Sequence, residues 1–245
     1  MTGTLYGIGV GPGDPELISL KGLRLLQRVP IVAFPAGTGG QPGIAEQIIR
    51  PWLSPQQQSL PLVFPYLRDA KVLESAWQKA ATQVWHYLQR GEDVAFVSEG
   101  DVSFYSTFTY LAQTLQQVYP QSKVEIVPGI CSPLAAAAAL GIPLTRGSDR
   151  LAILPALYTV AELNEVLGWA DVVVLLKVSS VYRQVWDILK AAGLLNQSYI
   201  VERATTSTQV IYRNLAETED LHLPYFSLLI IQNRTQPSPR SAQYA

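Results

Sequence analysis

Residues 9–17 read G-V-G-P-G-D-P-E-L, and this stretch decides how the N-terminal half of the chain is interpreted. The apolar residues 5–10 lead into it and predict a buried β-strand, while leucines at helical spacing follow it. Its glycines permit close backbone approach, its prolines fix the turn, and Asp14 can cap the following helix. The stretch is a strand-to-helix turn that fits a ligand-binding loop and a purely structural turn about equally well.

Two common phosphate-binding loops do not fit this turn. A P-loop needs a lysine followed by serine or threonine, and here Pro12 and Pro15 also remove two backbone donors. The GxGxxG spacing of a dinucleotide site fails because position 14 is aspartate.

Strand-like and helix-like segments alternate outward from the turn to the end of the chain. Strands are predicted at residues 5–10, 31–34, 59–64, 93–98, 124–127, 151–154, 171–178, 199–202, 209–214 and 225–232. Helices are predicted at residues 19–29, 44–53, 67–90, 106–119, 132–141, 160–167 and 180–192. The alternation predicts two α/β domains, residues 1–143 and 144–235, with a largely parallel sheet in the first. The polar tail, residues 236–245, is expected to be disordered.

The composition excludes several function classes. The formal net charge of −1 gives no overall basic field, so no nucleic-acid partner is expected. One cysteine and two histidines leave too few ligands for a zinc site, so no metal site is predicted. The first residues lack the basic region of a signal peptide, and no stretch approaches the roughly 20 apolar residues of a membrane span. We therefore expect a cytoplasmic protein without a membrane partner.

A second loop follows the most apolar strand of the first half. Residues 98–107 read S-E-G-D-V-S-F-Y-S-T, in which Gly100 exposes backbone and Asp101 offers a carboxylate. Ligands of parallel sheets lie at the carboxyl ends of strands, so Asp101 suits a ligand ammonium or ribose hydroxyls. The alternative is that Asp101 caps the next helix. Phe104 and Tyr105 could flank a flat ligand, although aromatic residues at helix starts more often belong to the core.

A third loop, residues 127–132, reads V-P-G-I-C-S and opens an alanine-rich helix. Ser132 as N-cap and Pro133 as the first helical residue are a good start signal. Backbone donors at such a start favour a polar ligand group. Cys131 could be a nucleophile there, but no histidine stands near it, and a lone cysteine more often packs as a small apolar residue.

In this order and spacing the three loops resemble those of the tetrapyrrole (corrin/porphyrin) methylase family. Residues 9–15 match its proline-rich turn, residues 99–102 its Gly-Asp-Pro signature with Val102 in place of proline, and residues 128–132 with 141–145 its third signature and interdomain link. The resemblance covers nearly the whole chain. A finer resemblance, in residues 62–65, 68–69 and 100–108, is to the subgroup that methylates C-20 of precorrin-2.

The resemblance implies two α/β domains of the class III methyltransferase type, S-adenosylmethionine in the cleft between them, and a homodimer. S-adenosylhomocysteine would be the product, and the C-20 carbon of precorrin-2 or cobalt-precorrin-2 would attack the methyl group. The residues implied for the cofactor are Pro12, Gly100, Asp101, Phe104, Cys131, Ser132, Lys177, Ala204 and Phe226. Those suggested for the carboxylate-rich tetrapyrrole are Arg68, Tyr105, Arg146 and Arg203.

Several alternatives stay open at this point. Each suggested arginine could be an ordinary solvated residue, and Lys177 could be a solvated strand end. No catalytic residue is assigned, because some relatives carry an acid where this chain has Phe34-Pro35-Ala36. Methylation of another ring carbon, of diphthamide or of ribosomal RNA, and non-catalytic tetrapyrrole binding, are the competing functions.

Overall fold

The computed structural model describes residues 1–37, 41–65, 69–155 and 160–234. Contacts between Cα atoms divide the chain into two compact units, Met1–Cys131 and Ser132–Ala245. Each unit holds one five-stranded sheet. The sequence placed the division after residue 143, whereas the contacts place it before the alanine-rich helix, because that helix packs against a strand of the second sheet.

The first unit alternates strands and helices throughout. Its described elements are β1 (Thr4–Gly9), α1 (Leu20–Arg28), β2 (Ile31–Pro35), α2 (Ile44–Ile49), β3 (Gln58–Leu62), α3 (Ala70–Leu88), β4 (Val94–Ser98), α4 (Phe108–Val118) and β5 (Lys123–Val127). Short 3₁₀ helices occur at Pro15–Leu17 and Arg50–Trp52.

The first sheet is parallel, with the strand order β3-β2-β4-β1-β5. Successive residues of β4 enter two different cores: Val94 and Phe96 belong to one apolar cluster, and Ala95 and Val97 to another. Both faces of the sheet are therefore covered, which is why its central strands are apolar without alternation. The prediction of a parallel sheet in the first half is confirmed.

Helix boundaries in this unit follow from identifiable caps. Ser19 Oγ accepts a hydrogen bond from the Gly22 N–H, so α1 begins after Ser19. Asp69 accepts from the N–H groups of Lys71 and Val72, so α3 begins at Ala70 rather than at residue 67. Gly91, shortly after α3, has φ +83°, the left-handed conformation with which a glycine commonly ends a helix.

The second unit has shorter helices and a mixed sheet. Its described elements are α5 (Ser132–Leu140), β6 (Leu151–Pro155), α6 (Leu163–Leu167), β7 (Val172–Leu176), α7 (Tyr182–Ala191), β8 (Ser198–Glu202), β9 (Val210–Tyr212) and β10 (Ser227–Gln232). Helix α5 begins at Ser132 itself, one residue earlier than the cap assignment predicted. The tail predicted to be disordered lies outside the described residues.

The second sheet has the order β6-β7-β10-β8-β9. Strand β10 runs antiparallel to both β7 and β8, while β6 and β7 are parallel. One face packs on a core that includes Leu163, Trp186 and Leu229. Because β10 is antiparallel, its first residues lie at the same edge of the sheet as the last residues of β7 and β8.

Candidate active site

The three sequence loops of the first unit lie at one edge of its sheet. They follow β4, β1 and β5, which are neighbours in that order. Since these strands are parallel, their carboxyl ends meet at one edge. The structure thus brings together the loops that the sequence singled out separately.

Glycine-to-glycine contacts hold these loops against each other. The Gly100 N–H donates to the Gly11 carbonyl at 2.7 Å, and the Gly11 N–H donates back to the Gly100 carbonyl at 3.2 Å. A Cβ atom on Gly129 would lie 2.3 Å from the Gly100 oxygen and 2.7 Å from the Gly9 Cα atom. Only glycine therefore permits this packing at position 129.

Asp101 joins the second loop to the third. Its Oδ2 accepts a hydrogen bond from the Gly129 N–H, and its Oδ1 accepts one from the Ser103 N–H, both at 2.7 Å. The alternative in which Asp101 caps the next helix is wrong. That helix, α4, begins at Phe108, whose N–H donates to the buried Ser106 hydroxyl at 3.2 Å.

The loop backbone leaves room for a ligand beside Gly100. Gly100 has φ +70°, and a Cβ atom there would meet no heavy atom closer than 4.0 Å. Pro12 is half-buried in the turn that pairs with this residue. An uncrowded backbone at the carboxyl ends of parallel strands is where α/β proteins bind ligands.

Phe104 and Tyr105 form an aromatic corner next to this backbone. Their ring centroids are 4.9 Å apart with an interplanar angle of 76°. Phe104 is half-buried, whereas Tyr105 is 55% exposed and has φ +52°, a left-handed conformation that side chains rarely adopt. Tyr105 is therefore held in a strained conformation with an exposed ring, an arrangement that clusters at functional sites.

Cys131 and Ser132 are partly buried, and they are where the two units divide. Cys131 ends the first unit, with its Cα atom 4.0 Å from the position of a Cβ atom on Gly100. Ser132 is the first residue of α5 in the second unit. Their thiol and hydroxyl stay predicted cofactor contacts.

Four of the predicted site residues meet at one edge of the second sheet. Lys177 follows β7, Arg203 and Ala204 follow β8, and Phe226 precedes β10. The Arg203 N–H donates to the Phe226 carbonyl at 2.8 Å, and Lys177 Nζ lies 5.2 Å from the Tyr225 ring centroid. Ala204 is buried, while the Phe226 side chain is exposed.

Two of these residues are strained cations. Lys177 has φ +57° and Arg203 has φ +45°, both in the left-handed region. A left-handed residue other than glycine costs roughly 1–2 kcal/mol. Lys177 thus combines a strained backbone with an ammonium that lies against an aromatic face.

Of the other two predicted arginines, the structure describes only Arg146. Arg146 is exposed, and its backbone N–H donates to Asp149 Oδ2 at 2.8 Å. Arg68 lies outside the described residues. Arg150 pairs with Asp171 at 3.1 Å.

The family comparison agrees with this geometry. Residues 4–219 match the model of the Tetrapyrrole (Corrin/Porphyrin) Methylases. The chain belongs to this family. The predicted fold class of the tetrapyrrole methylases is confirmed.

Two curated relatives match nearly all of this tetrapyrrole methylase, and one of them is named as a cobalamin biosynthesis protein. CobIJ of Mycobacterium tuberculosis is 36% identical over 237 residues, 94% of this chain but 46% of the relative. The chain thus spans about half the length of that relative. The cobalt-precorrin-2 C(20)-methyltransferase of Salmonella typhimurium is 32% identical over 235 residues, 96% of this chain and 98% of the relative.

Solved structures of similar fold are also tetrapyrrole methylases. A cobalt precorrin-4 methyltransferase, CbiF, superposes with a TM-score of 0.72 at 22% identity, covering 96% of both chains. The uroporphyrin-III C-methyltransferase of Thermus thermophilus, complexed with S-adenosylhomocysteine, gives 0.65 at 22% identity, covering 94% of this chain and 97% of the other. At this identity the likeness shows the shared fold.

The sequence interpretation missed a buried acid in this tetrapyrrole methylase. Glu202 is 4% exposed; its Oε1 accepts from the Tyr212 hydroxyl at 3.0 Å, and its Oε2 accepts from Arg203 Nη2 at 3.1 Å. Burial, together with the hydrogen bond to Glu202, raises the pKa of the Tyr212 hydroxyl. The available signal was an acid beside an arginine at the end of an apolar strand.

The described ranges contain no cluster of metal ligands and no membrane-spanning helix. Within them, no three His, Cys, Asp or Glu side chains come close enough together to hold a metal ion. None of the helices described is both long and apolar enough to cross a bilayer.

Proposed function

We propose that this tetrapyrrole methylase transfers a methyl group from S-adenosylmethionine to C-20 of precorrin-2 or of its cobalt complex. The supporting observation is the convergence of three loops through the Gly11–Gly100 bridge and the Asp101–Gly129 hydrogen bond. Support for the substrate comes from the Salmonella relative, whose name specifies this reaction and which matches over nearly its whole length.

The residues of the first unit fit such a cofactor. The face of Gly100 is open, so a ligand can approach its backbone closely, and Phe104 supplies an apolar surface beside it. We assign Pro12, Gly100, Asp101, Phe104 and Cys131 to cofactor binding. Asp101 serves by fixing the Gly129 backbone, because both of its oxygens are used within the protein.

In the second unit we assign Ser132, Lys177, Ala204 and Phe226 to cofactor binding as well. Buried Ala204 follows a strand, and the exposed Phe226 ring precedes the neighbouring strand. A small buried residue and an exposed ring at one sheet edge suit a flat, largely apolar group such as adenine.

When bound, S-adenosylmethionine supplies an electrophilic methyl group on a sulfonium sulfur. The protein's task is to align the ring carbon with that methyl group and to exclude water. Phe34 is buried and Pro35 ends β2, so the position where some relatives carry an acid offers no proton acceptor here. We assign no catalytic base.

The tetrapyrrole carries several carboxylates, which need cationic partners. We propose Arg203, Arg146 and Arg68 for these contacts, and Tyr105 for contact with the ring face. Support for Arg203 comes from its fixed guanidinium, and support for Tyr105 from its strained backbone and exposed ring. We further propose, from the family resemblance, a cytoplasmic homodimer. Light scattering of the purified protein tests whether it is a dimer.

Mass spectrometry tests the proposed reaction. The purified protein is incubated anaerobically with S-adenosylmethionine and either metal-free precorrin-2 or cobalt-precorrin-2. One added methyl group on either substrate is expected, and the substrate that reacts settles the metal question. Intact binding of S-adenosylhomocysteine with no methyl transfer to either substrate would refute the C-20 assignment and favour another ring carbon.

A further inference from the structure

Glu202 is a buried carboxylate that the proposed reaction does not use. It ends β8, is paired across the sheet with Ser227 on one side and Val210 on the other, and is 4% exposed. A buried carboxylate is costly unless each oxygen is hydrogen-bonded. Tyr212 and Arg203 satisfy one oxygen each.

The partner of this carboxylate, Arg203, is fixed at both ends. At the backbone, its N–H donates to Phe226 and its carbonyl accepts from the Thr206 N–H and hydroxyl. At the guanidinium, Nε donates to the Thr208 carbonyl and Nη2 to Glu202, both at 3.1 Å. Ordering a long arginine side chain costs entropy, which these contacts offset within the protein.

The restrained guanidinium keeps donors available. Its side chain is 39% exposed, and among the described residues no acceptor is paired with Nη1. Nη1 and the second Nη2 hydrogen form the planar fork that binds carboxylates bidentately. The orientation of this fork is set before any ligand arrives, which reduces the entropy lost on binding.

We propose that Glu202 and Tyr212 are positioning residues that aim Arg203 at a carboxylate of the bound ligand. This inference rests on the proposed function, because both of its ligands carry carboxylates. The carboxylate belongs either to the tetrapyrrole side chains or to the methionine part of the cofactor. The chemistry of recognition is the same for both, and separate binding measurements distinguish them.

The test compares Glu202→Gln, Arg203→Lys and the double variant by calorimetry. The probes are uroporphyrin III as a polycarboxylate tetrapyrrole, S-adenosylhomocysteine, and adenosine as a ligand without a carboxylate. Glu202→Gln is expected to raise one carboxylate ligand's Kd about tenfold, the scale of one lost charged hydrogen bond. Because Glu202 acts through Arg203, the double variant should bind no more weakly than Arg203→Lys alone.

The probe that binds more weakly identifies the molecule to which the carboxylate belongs. Weaker uroporphyrin binding alone assigns the carboxylate to the substrate, and in turnover it should appear in KM rather than kcat. Weaker S-adenosylhomocysteine binding with unchanged adenosine binding assigns it to the cofactor. Unchanged Kd values for both carboxylate ligands in a folded Glu202→Gln protein would overturn the proposal, as would fully additive losses in the double variant.

A second variant covers the case in which Glu202→Gln does not fold. Tyr212→Phe keeps the charge pair and removes one restraint, so a smaller rise in the same Kd is expected. If Arg203→Lys, which keeps the charge and loses the fork, leaves every Kd unchanged, the carboxylate site is refuted. Failure of methyl transfer by the wild-type protein with intact ligand binding would instead refute only the proposed reaction.

Discussion

The backbone N–H of Gly129 donates a 2.7 Å hydrogen bond to the Asp101 carboxylate, 28 residues earlier in the chain. The same carboxylate accepts from Ser103 within its own loop. Asp101 therefore couples the loop after β4 to the loop after β5, while the Gly11–Gly100 bridge couples it to the loop after β1. The three loops are thus connected by hydrogen bonds. A substitution in any one of them should therefore change the affinity for a ligand that contacts the others.

Asp101→Ala is expected to weaken S-adenosylhomocysteine binding by more than about tenfold, because two backbone donors lose their acceptor and the loops separate. Calorimetric Kd values measure the effect. Asp69→Ala is the matched control: Asp69 also accepts from two backbone N–H groups, but at the start of α3. It should lower the melting temperature and leave the Kd unchanged. Equal Kd values for Asp101→Ala and the wild type would contradict the prediction.

Gly129→Ala is expected to destabilise the protein by about 2 kcal/mol or more, since its Cβ atom would meet backbone atoms that cannot move independently. Denaturant unfolding measures the loss, and S-adenosylhomocysteine binding should weaken with it. Gly141→Ala is the comparison, because a Cβ atom at Gly141 meets nothing within 4 Å. It should cost only the roughly 1–2 kcal/mol of a left-handed alanine, with no effect on binding. Similar Kd values for both variants would argue against the close packing of the loops.

Lys177→Gly is expected to stabilise the protein by up to about 1 kcal/mol while weakening ligand binding, because it relieves a φ of +57° and removes a cation. Urea unfolding and calorimetry report the two effects separately. Lys190→Gly removes a lysine from the right-handed helix α7 and should destabilise by about 1 kcal/mol. A loss of stability in Lys177→Gly would show that the lysine contacts outweigh the backbone strain.

The ionised carboxylate of Asp171 should stabilise the folded protein at neutral pH, and this stabilisation should be lost in acid. Its pKa is lowered, chiefly because its carboxylate accepts from the Arg150 N–H and also from the Arg150 guanidinium. A lowered folded-state pKa gives stability that is present above the ordinary value, near 3.9, and is lost as the pH falls through the folded value. The difference in unfolding free energy between wild type and Asp171→Asn should be at most about 1 kcal/mol at pH 7, since the pair is largely exposed.

The difference in unfolding free energy between the wild type and Asp171→Asn should disappear in acid. Arg150→Met keeps the backbone N–H that donates to Asp171, so it should retain part of the pH-dependent stabilisation. If the loss of unfolding free energy in Asp171→Asn stays constant from pH 7 to pH 3, the stabilisation does not come from the ionised carboxylate.

The apolar runs of the sequence predicted most strands, because a strand covered on both faces must be apolar at successive positions. The caps at Ser19 and Gly91 were predictable for the same local reason: each depends on residues within one turn. Two helix boundaries nevertheless differed from the prediction. The start of α3 moved because Asp69 provides its cap, and α6 is shorter than its periodicity suggested.

By itself, the sequence determined the α/β class, the parallel first sheet and the three loops, because local composition and order suffice for them. Only the tertiary structure decided what those residues contact. Asp101 connects two loops rather than capping a helix, because the Gly129 N–H can bind its carboxylate only when β4, β1 and β5 are neighbours. The hydrogen bond from Tyr212 to the Glu202 carboxylate forms only because β9 pairs with β8. Such contacts depend on strand order, which no local pattern encodes.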